Sequence, residues 1–170
     1  ISTLLIKTAF KKSDENQSVT FEDFENNRVI IARRLAAANG QPLTDSDGDG
    51  FPDGFGKTNQ AVLLPAFLAA YSGKDANDIK LGAFRDIPIP NWTVKYTGLM
   101  RLKWFKKRFR RFSLSHGYRS SYTINSFRTN LDYDATDPFG TTNIDQGGNY
   151  KNQTLFSNVN LVEQFNPLIR

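Results

Sequence analysis

Between residues 91 and 133 apolar and polar side chains alternate one by one. Trp92, Val94 and Tyr96 share one parity, and Thr93, Lys95 and Thr97 share the other. Further on, Phe112, Leu114, Tyr118, Tyr122 and Ile124 alternate with Ser113, Ser115, Arg119, Ser121 and Thr123. Period-two alternation sends the two sets to opposite faces of a strand. One face is aromatic and aliphatic, the other hydroxylated and cationic. Lipid on one side and a wet lumen on the other produce this pattern, and so does a half-buried strand of a soluble sheet. Length favours the first. A membrane-crossing strand needs roughly 9–11 residues, whereas globular strands average about 5–6, and the stretch from Phe112 to Ile124 is long. Near Ser126 the apolar parity switches, to Phe127, Leu131 and Tyr133. That switch predicts a bulge or bend.

Residues 1–10 predict a strand with Leu4, Ile6 and Phe10 on one face, and 11–18 a polar turn. A helix is expected from Phe21 to about Ala38, capped by Thr20 with Asp23 three residues on. Phe21, Phe24, Ile31 and Leu35 form its stripe, and Asn39–Gly40 stops it. A Gly/Asp/Pro loop follows over 41–58. A short buried helix over 61–72 carries Pro65 near its first turn and ends at Gly73. Residues 74–91 are a Pro-punctuated connector, 134–150 a loop, and 152–166 a last strand with Leu155, Val159, Leu161 and Phe165 on one face. The division expected is therefore 1–10 as a strand, 11–90 as a partly helical insertion and 91–170 as strands around a basic turn at 100–111. Such alternation of short turns and long loops is typical of outer-membrane barrels, and it places 11–90 outside the cell and the turn in the periplasm. The fold class expected is mainly β: antiparallel strands forming part of a large transmembrane β-barrel wall, with the insertion as a loop.

Composition sharpens this picture in three places. The 170 residues include 14 Phe, 6 Tyr and 2 Trp, yet the mean hydropathy is −0.48. Polar on average with many aromatics suits a barrel wall. The net charge of +5 is concentrated: Arg101, Lys103, Lys106, Lys107, Arg108, Arg110 and Arg111 fall within eleven residues. There are no cysteines, hence no disulfide framework or thiolate metal site. The most apolar run, Ala61–Tyr71, contains Pro65 and falls short of the 18 or so residues of a transmembrane helix. The chain starts at Ile1 without a signal peptide. Its four or five strands are too few to close a barrel, so a piece of a longer protein is expected.

The sharpest local motif is DSDGDGFPDG at 45–54. Asp45, Asp47 and Asp49 alternate, Gly50 permits a sharp turn, and Asp53 follows. Together with the carbonyl of Phe51 these supply the oxygen ligands that Ca²⁺ prefers. The Glu of an EF-hand is missing, since its place holds Gly56, so the expected site is a shorter acidic calcium loop; a solvated Asp/Gly turn is the alternative. Gly56–Lys57–Thr58 matches the end of a phosphate-binding loop, but the required first glycine is Phe51, which rejects it. The 101–111 turn fits a membrane edge, with Trp104, Phe105 and Phe109 at the interface and cations on headgroups. Nucleic acid bound through phosphate neutralisation and stacking is the competing reading. His116, the single histidine, neighbours Ser115 and Ser113, but adjacent strand residues diverge, which speaks against a catalytic triad. No catalytic residue is assigned. The sequons at Asn16, Asn91 and Asn152 matter only in a eukaryotic secretory protein.

Four runs carry a family resemblance: FEDFENNRVIIARRLA (21–36), AVLLPAFLAAYSGKDA (61–76), PNWTVKYTGL (90–99) and LSHGYRSSYTINSF (114–127). They resemble the SprA/Sov family, the giant outer-membrane translocon of the type IX secretion and gliding-motility system. The resemblance implies a very large single-chain β-barrel in the bacterial outer membrane that conducts folded cargo bearing a C-terminal signal domain. It further implies a lateral gate covered by a partner barrel, a periplasmic plug protein, no catalytic residues, and contact with the rest of the same barrel chain.

The lipid-facing residues expected are Trp92, Val94, Tyr96, Leu114, Tyr118, Tyr122 and Ile124. The lumen-facing ones are Lys95, Arg119, Ser121 and Thr123. Outer-membrane lipid is the expected surroundings, and nucleic acid is not an expected partner. The alternative function is a soluble basic β-rich module that binds nucleic acid.

Overall fold

A computed structural model describes residues 13–14, 17–83 and 91–166 of the chain. The strand expected at 1–10 and the sequon at Asn16 lie outside the described residues. The order is β1 (Ser13–Asp14), β2 (Gln17–Ser18), α1 (Val19–Ala38), α2 (Gln60–Ser72), β3 (Trp92–Tyr96), α3 (Lys103–Arg108), β4 (Leu114–Thr129) and β5 (Thr154–Asn166). β1 and β2 pair as a minute antiparallel hairpin. The other three strands form an open antiparallel sheet in the order β3-β4-β5. The expected mainly-β class thus needs correcting to mixed α/β, because the Ala-rich segments form full helices and the basic turn adds a third. No described helix is long and apolar enough to cross a membrane.

The chain divides into two compact units. Among the described residues one holds 91–123, including α3, with 159–166, and the other holds α1 and α2 with 124–158.

The helical unit is built on small side chains. Ala32, Ala36, Ala66 and Ala69 are fully buried, as are Ile31 and Val62. Alanines let α1 and α2 approach closely, and the two branched residues fill the space between them. Phe51, Phe55 and Ala76 complete the core. Phe24 and Leu35 lie in or against this core as the stripe predicted, but Phe21 is half exposed. The helix also starts two residues earlier than expected. Its cap is Ser18, the last residue of β2, and Thr20 is buried inside the first turn. The hairpin delivers the chain directly into the helix, which leaves Thr20 no capping position. The C-terminal end is as expected: Asn39 caps it, and Gly40 takes the left-handed φ of 66°. In α2 Pro65 is the sixth residue, one place deeper than in the expected 61–72 helix, and Gly73 closes the helix at φ 60°. Arg34 donates to the carbonyls of Ala76 and Ile79, tying the segment after α2 back to α1.

In the other unit the register of the hairpin is explicit. Trp92 lies opposite Tyr118, Val94 opposite His116 and Tyr96 opposite Leu114, while Thr93 and Lys95 lie opposite Gly117 and Ser115. Directly opposed residues project to the same face, so the parity sets meet across the two strands. Asn91 extends the pairing by one step, its side-chain oxygen accepting the Ser120 N–H at 2.7 Å. β4 is 16 residues long. Ser126, within it, has φ 56°, the single left-handed non-glycine among the described residues. A strand residue in that conformation turns the next side chain to the other face, and this is where the apolar parity switches. In β5 Leu155, Val159 and Leu161 are half-buried; the side chain of Phe165 lies outside the described residues.

Candidate functional sites

Three places concentrate chemistry: the two faces of the β3–β4 hairpin, its basic tip, and the acidic loop.

On the hairpin's apolar face Trp92 stacks on Tyr118, ring centroids 4.4 Å apart. Tyr118 is fully buried, while Val94 and Tyr96 are 55% and 53% exposed. His116 belongs to this face, its ring 6.2 Å from that of Trp92. Ser115 opposes Lys95 on the other face, so the histidine and its sequence-adjacent serine point apart. Tyr122 and Ile124 are half-buried, and Arg119, Ser121 and Thr123 on the opposite parity are exposed.

At the tip, the chain leaves β3 through a tight turn at Gly98, where an added Cβ would collide with the Tyr96 ring. A 3-10 turn (Gly98–Arg101) leads into α3. All seven tip cations are exposed. Their aromatic neighbours cluster on each other: Phe105 lies 4.9 Å from Trp104, 5.6 Å from Phe109 and 5.2 Å from Phe112. The Arg108 guanidinium sits 5.5 Å over the Trp104 ring, a cation–π contact. Even so, Leu102, Trp104 and Phe109 remain 53%, 57% and 41% exposed.

In the acidic loop the carboxylates of Asp45, Asp47 and Asp49 converge, with one oxygen from each lying within 4.8 Å of the others. Backbone N–H groups hold them in place: Asp49 N donates to Asp45 and Asp47, Gly50 N to Asp45, and Phe51 N to Asp49. Each such oxygen keeps a second lone pair for a cation. Asp53 does not join the group. Its carboxylate accepts from Thr44 Oγ1 at 2.8 Å, Ser46 N at 2.9 Å and Ser46 Oγ at 2.7 Å. Those bonds, Ser46's backbone first, hold its pKa below the ordinary 3.8. They favour the ionised form, so their stabilisation is full above that ordinary value and is lost as pH falls through the lower folded one. Phe51 is buried beneath the loop and anchors it to the helical core.

A fourth feature escaped the sequence reading. Asn59, Asn143 and Asn149 are buried polar residues; Asn59 and Asn149 lock the 134–150 loop to the segment before α2, and Asn143 braces the loop from within. Asn149 Oδ1 accepts from Gly56 N at 2.9 Å, and Tyr150 N donates to the Gly54 carbonyl at 2.8 Å. Asn143 donates to the Pro138 carbonyl at 2.8 Å. Beside them Phe55, Phe139 and Tyr150 form a mutually edge-packed trio, with centroids 5.2–6.4 Å apart. Gly54, at φ 82°, lies against Tyr150 where a Cβ would overlap the ring. The clues in sequence are asparagines in KTNQ (57–60), TTNI (141–144) and GGNY (147–150), contexts that carry no periodicity. No family model matches this chain, and neither does any curated protein.

Proposed function

We propose that this chain is a stretch of outer-membrane β-barrel wall, belonging to a translocon that conducts folded proteins in type IX secretion and gliding motility. The observation that carries the reading is β4. Its 16 residues exceed the roughly 9–11 that span a bilayer, its first five share a register with β3, and the same alternation continues in sequence to Ile124. The family resemblance of the 90–99 and 114–127 runs supports it further, as those runs are the hairpin itself. In this reading the face of Trp92, Val94, Tyr96, Leu114, Tyr122 and Ile124 meets lipid, while Tyr118, expected there too, is buried against Trp92. Lys95, Arg119, Ser121 and Thr123 meet the lumen. The helical unit is an extracellular elaboration. The remaining barrel strands, a partner barrel at a lateral gate, a periplasmic plug and cargo are its partners. No side chain of this chain performs chemistry; the wall supplies a polar path and a lipid seal.

These 170 residues contain no cysteine, so each introduced thiol adds one label over that of the unsubstituted parent protein. Ser121→Cys in the intact outer-membrane protein is expected to react with a membrane-impermeant maleimide, and Tyr122→Cys to stay unlabelled until detergent is added. Equal labelling of both in intact membranes would refute the wall.

The acidic loop adds a structural calcium site to the proposal. Three exposed carboxylates around one point repel one another, and a hard divalent ion suits their oxygens. Calcium is expected to protect 41–58 from protease, and EGTA to remove that protection. The double substitution Asp47→Ala/Asp49→Ala should abolish the difference. Identical digestion with calcium and with EGTA would dispose of the site.

A further inference from the structure

The hairpin tip carries a groove whose lining the barrel reading uses only at Lys95, at the tip end of the lumen face. It encloses about 590 Å³, within the usual range for small-ligand sites. Lys95, Arg110 and Arg111 bring three cations to it, and the hydroxyls of Thr97 and Ser113 add hydrogen-bond donors. Met100 and Phe112 give it an apolar wall. Next to it stands the exposed wedge of Leu102, Trp104 and Phe109. Cations, hydroxyls and an apolar wall in one groove match an amphiphilic anion: a phosphate with a hydrocarbon tail.

Charge complementarity identifies the occupant further. From residue 87 to residue 131 there is no Asp or Glu, while Lys95, Arg119, Arg128 and the seven tip cations all fall within that span. No carboxylate within this stretch of sequence offsets the tip's charge, and an anionic surface complements it. Bases are poorly served here. The tip's rings pack against each other at tilted and edge-on angles of 32–75°, and the Trp104 face is covered by Arg108. Open, separated platforms for stacking are not what this cluster offers. Exposed Trp, Phe and Leu beside Lys and Arg are instead the composition of a segment that seats in a headgroup layer.

We infer that residues 95–113 form a docking site for anionic phospholipid, with a headgroup phosphate in the Lys95/Arg110/Arg111 groove and Leu102, Trp104 and Phe109 inserted beside it. The inference does not depend on the barrel reading. A tip of this kind holds a bilayer surface whether or not the strands behind it cross the bilayer.

Trp104 is its reporter. On a Trp92→Phe background it is the sole tryptophan, since the chain has two. The intact chain, refolded in zwitterionic detergent and diluted into vesicles, is expected to show a blue shift of Trp104 emission with phosphatidylglycerol vesicles. Phosphatidylcholine vesicles should bind at least tenfold more weakly. Substituting Lys95, Arg110 and Arg111 together by Gln should weaken phosphatidylglycerol binding roughly 100-fold, at about fivefold per charge. Substituting Arg33, Lys57 and Lys74 by Gln removes the same charge elsewhere and should leave binding within about twofold. Should the first variant fail to fold, flotation of the unaltered chain at low and high salt carries the same test, because the contact is electrostatic. Four results would overturn the inference: equal binding to both lipids, equal loss in both triple variants, salt-independent flotation, and release by inorganic phosphate at matched phosphate concentration. Displacement of the vesicles by a DNA duplex would overturn it in favour of nucleic acid. None of these outcomes bears on the labelling of Ser121 and Tyr122, so the two readings fail separately.

Discussion

Tyr122→Arg is expected to reduce the protein in isolated outer membranes to below about a tenth of its normal level, with Ser121→Arg remaining within about twofold. The two positions are one residue apart on β4, so secondary-structure propensity, chain context and added charge are matched. Only the face differs. A cation on the lipid face near the bilayer midplane costs about 2–4 kcal/mol, while the lumen face tolerates it. That cost exceeds RT several-fold and falls on a strand that must pair during assembly, when few other contacts hold it. Quantitative blotting of outer-membrane fractions with a heat-modifiability assay measures it. Normal levels of the Tyr122→Arg protein would mean that this face touches protein or water. The soluble-module alternative predicts that the protein is missing from the outer-membrane fraction with or without either substitution. The reverse pattern, loss with Ser121→Arg and tolerance of Tyr122→Arg, would keep the wall but invert its facing.

The facing argument rests on the part of the structure that was legible in advance. Parity alone grouped Trp92, Val94 and Tyr96 and grouped Leu114 with Tyr118. The register then set Trp92 against Tyr118 and Tyr96 against Leu114. Parity also marked Ser126, whose left-handed φ is the local event behind the switch. Alternation is short-range information, and strands express it directly. Helix ends were nearly as legible, because Asn39–Gly40 and Gly73 signal through their own backbone freedom. The start of α1 was not, since the β1–β2 hairpin rather than a cap sets it. The converging carboxylates of Asp45, Asp47 and Asp49 were readable from spacing; the diversion of Asp53 to Thr44 and Ser46 was not, because side-chain partners within a loop depend on its full path. Least legible was the 134–150 loop. Its contacts with Gly54, Gly56 and Asn59 span about 90 residues of sequence, and nothing periodic announces a pairing between two loops.

That long-range lock gives the second large effect. Asn59→Ala is expected to destabilise the helical unit by about 2–4 kcal/mol. Asn59 is 4% exposed and uses its whole amide. Oδ1 accepts from Ala61 N at 2.9 Å and from Asn152 Nδ2 at 3.0 Å. Nδ2 donates to the carbonyls of Gly54 at 3.1 Å and Tyr150 at 3.3 Å. Alanine removes the α2 cap, worth about 1 kcal/mol, and takes the partner from the part-buried Tyr150 carbonyl and Asn152 amide at about 1–3 kcal/mol. Hydrogen exchange in the intact chain reads the loss at the Gly56 and Tyr150 amides, which bond across the lock. Protection there should fall by about 30-fold or more. Asn59→Ser separates the two contributions: its hydroxyl restores the cap to Ala61 but cannot reach two carbonyls at once, so only part of the protection should return. A fall of less than about threefold in the alanine variant would shift the credit to the Phe55–Phe139–Tyr150 cluster. The amide would then be satisfying its own burial without holding the loop, and the 134–150 segment would be fixed to the helices by packing rather than by hydrogen bonds.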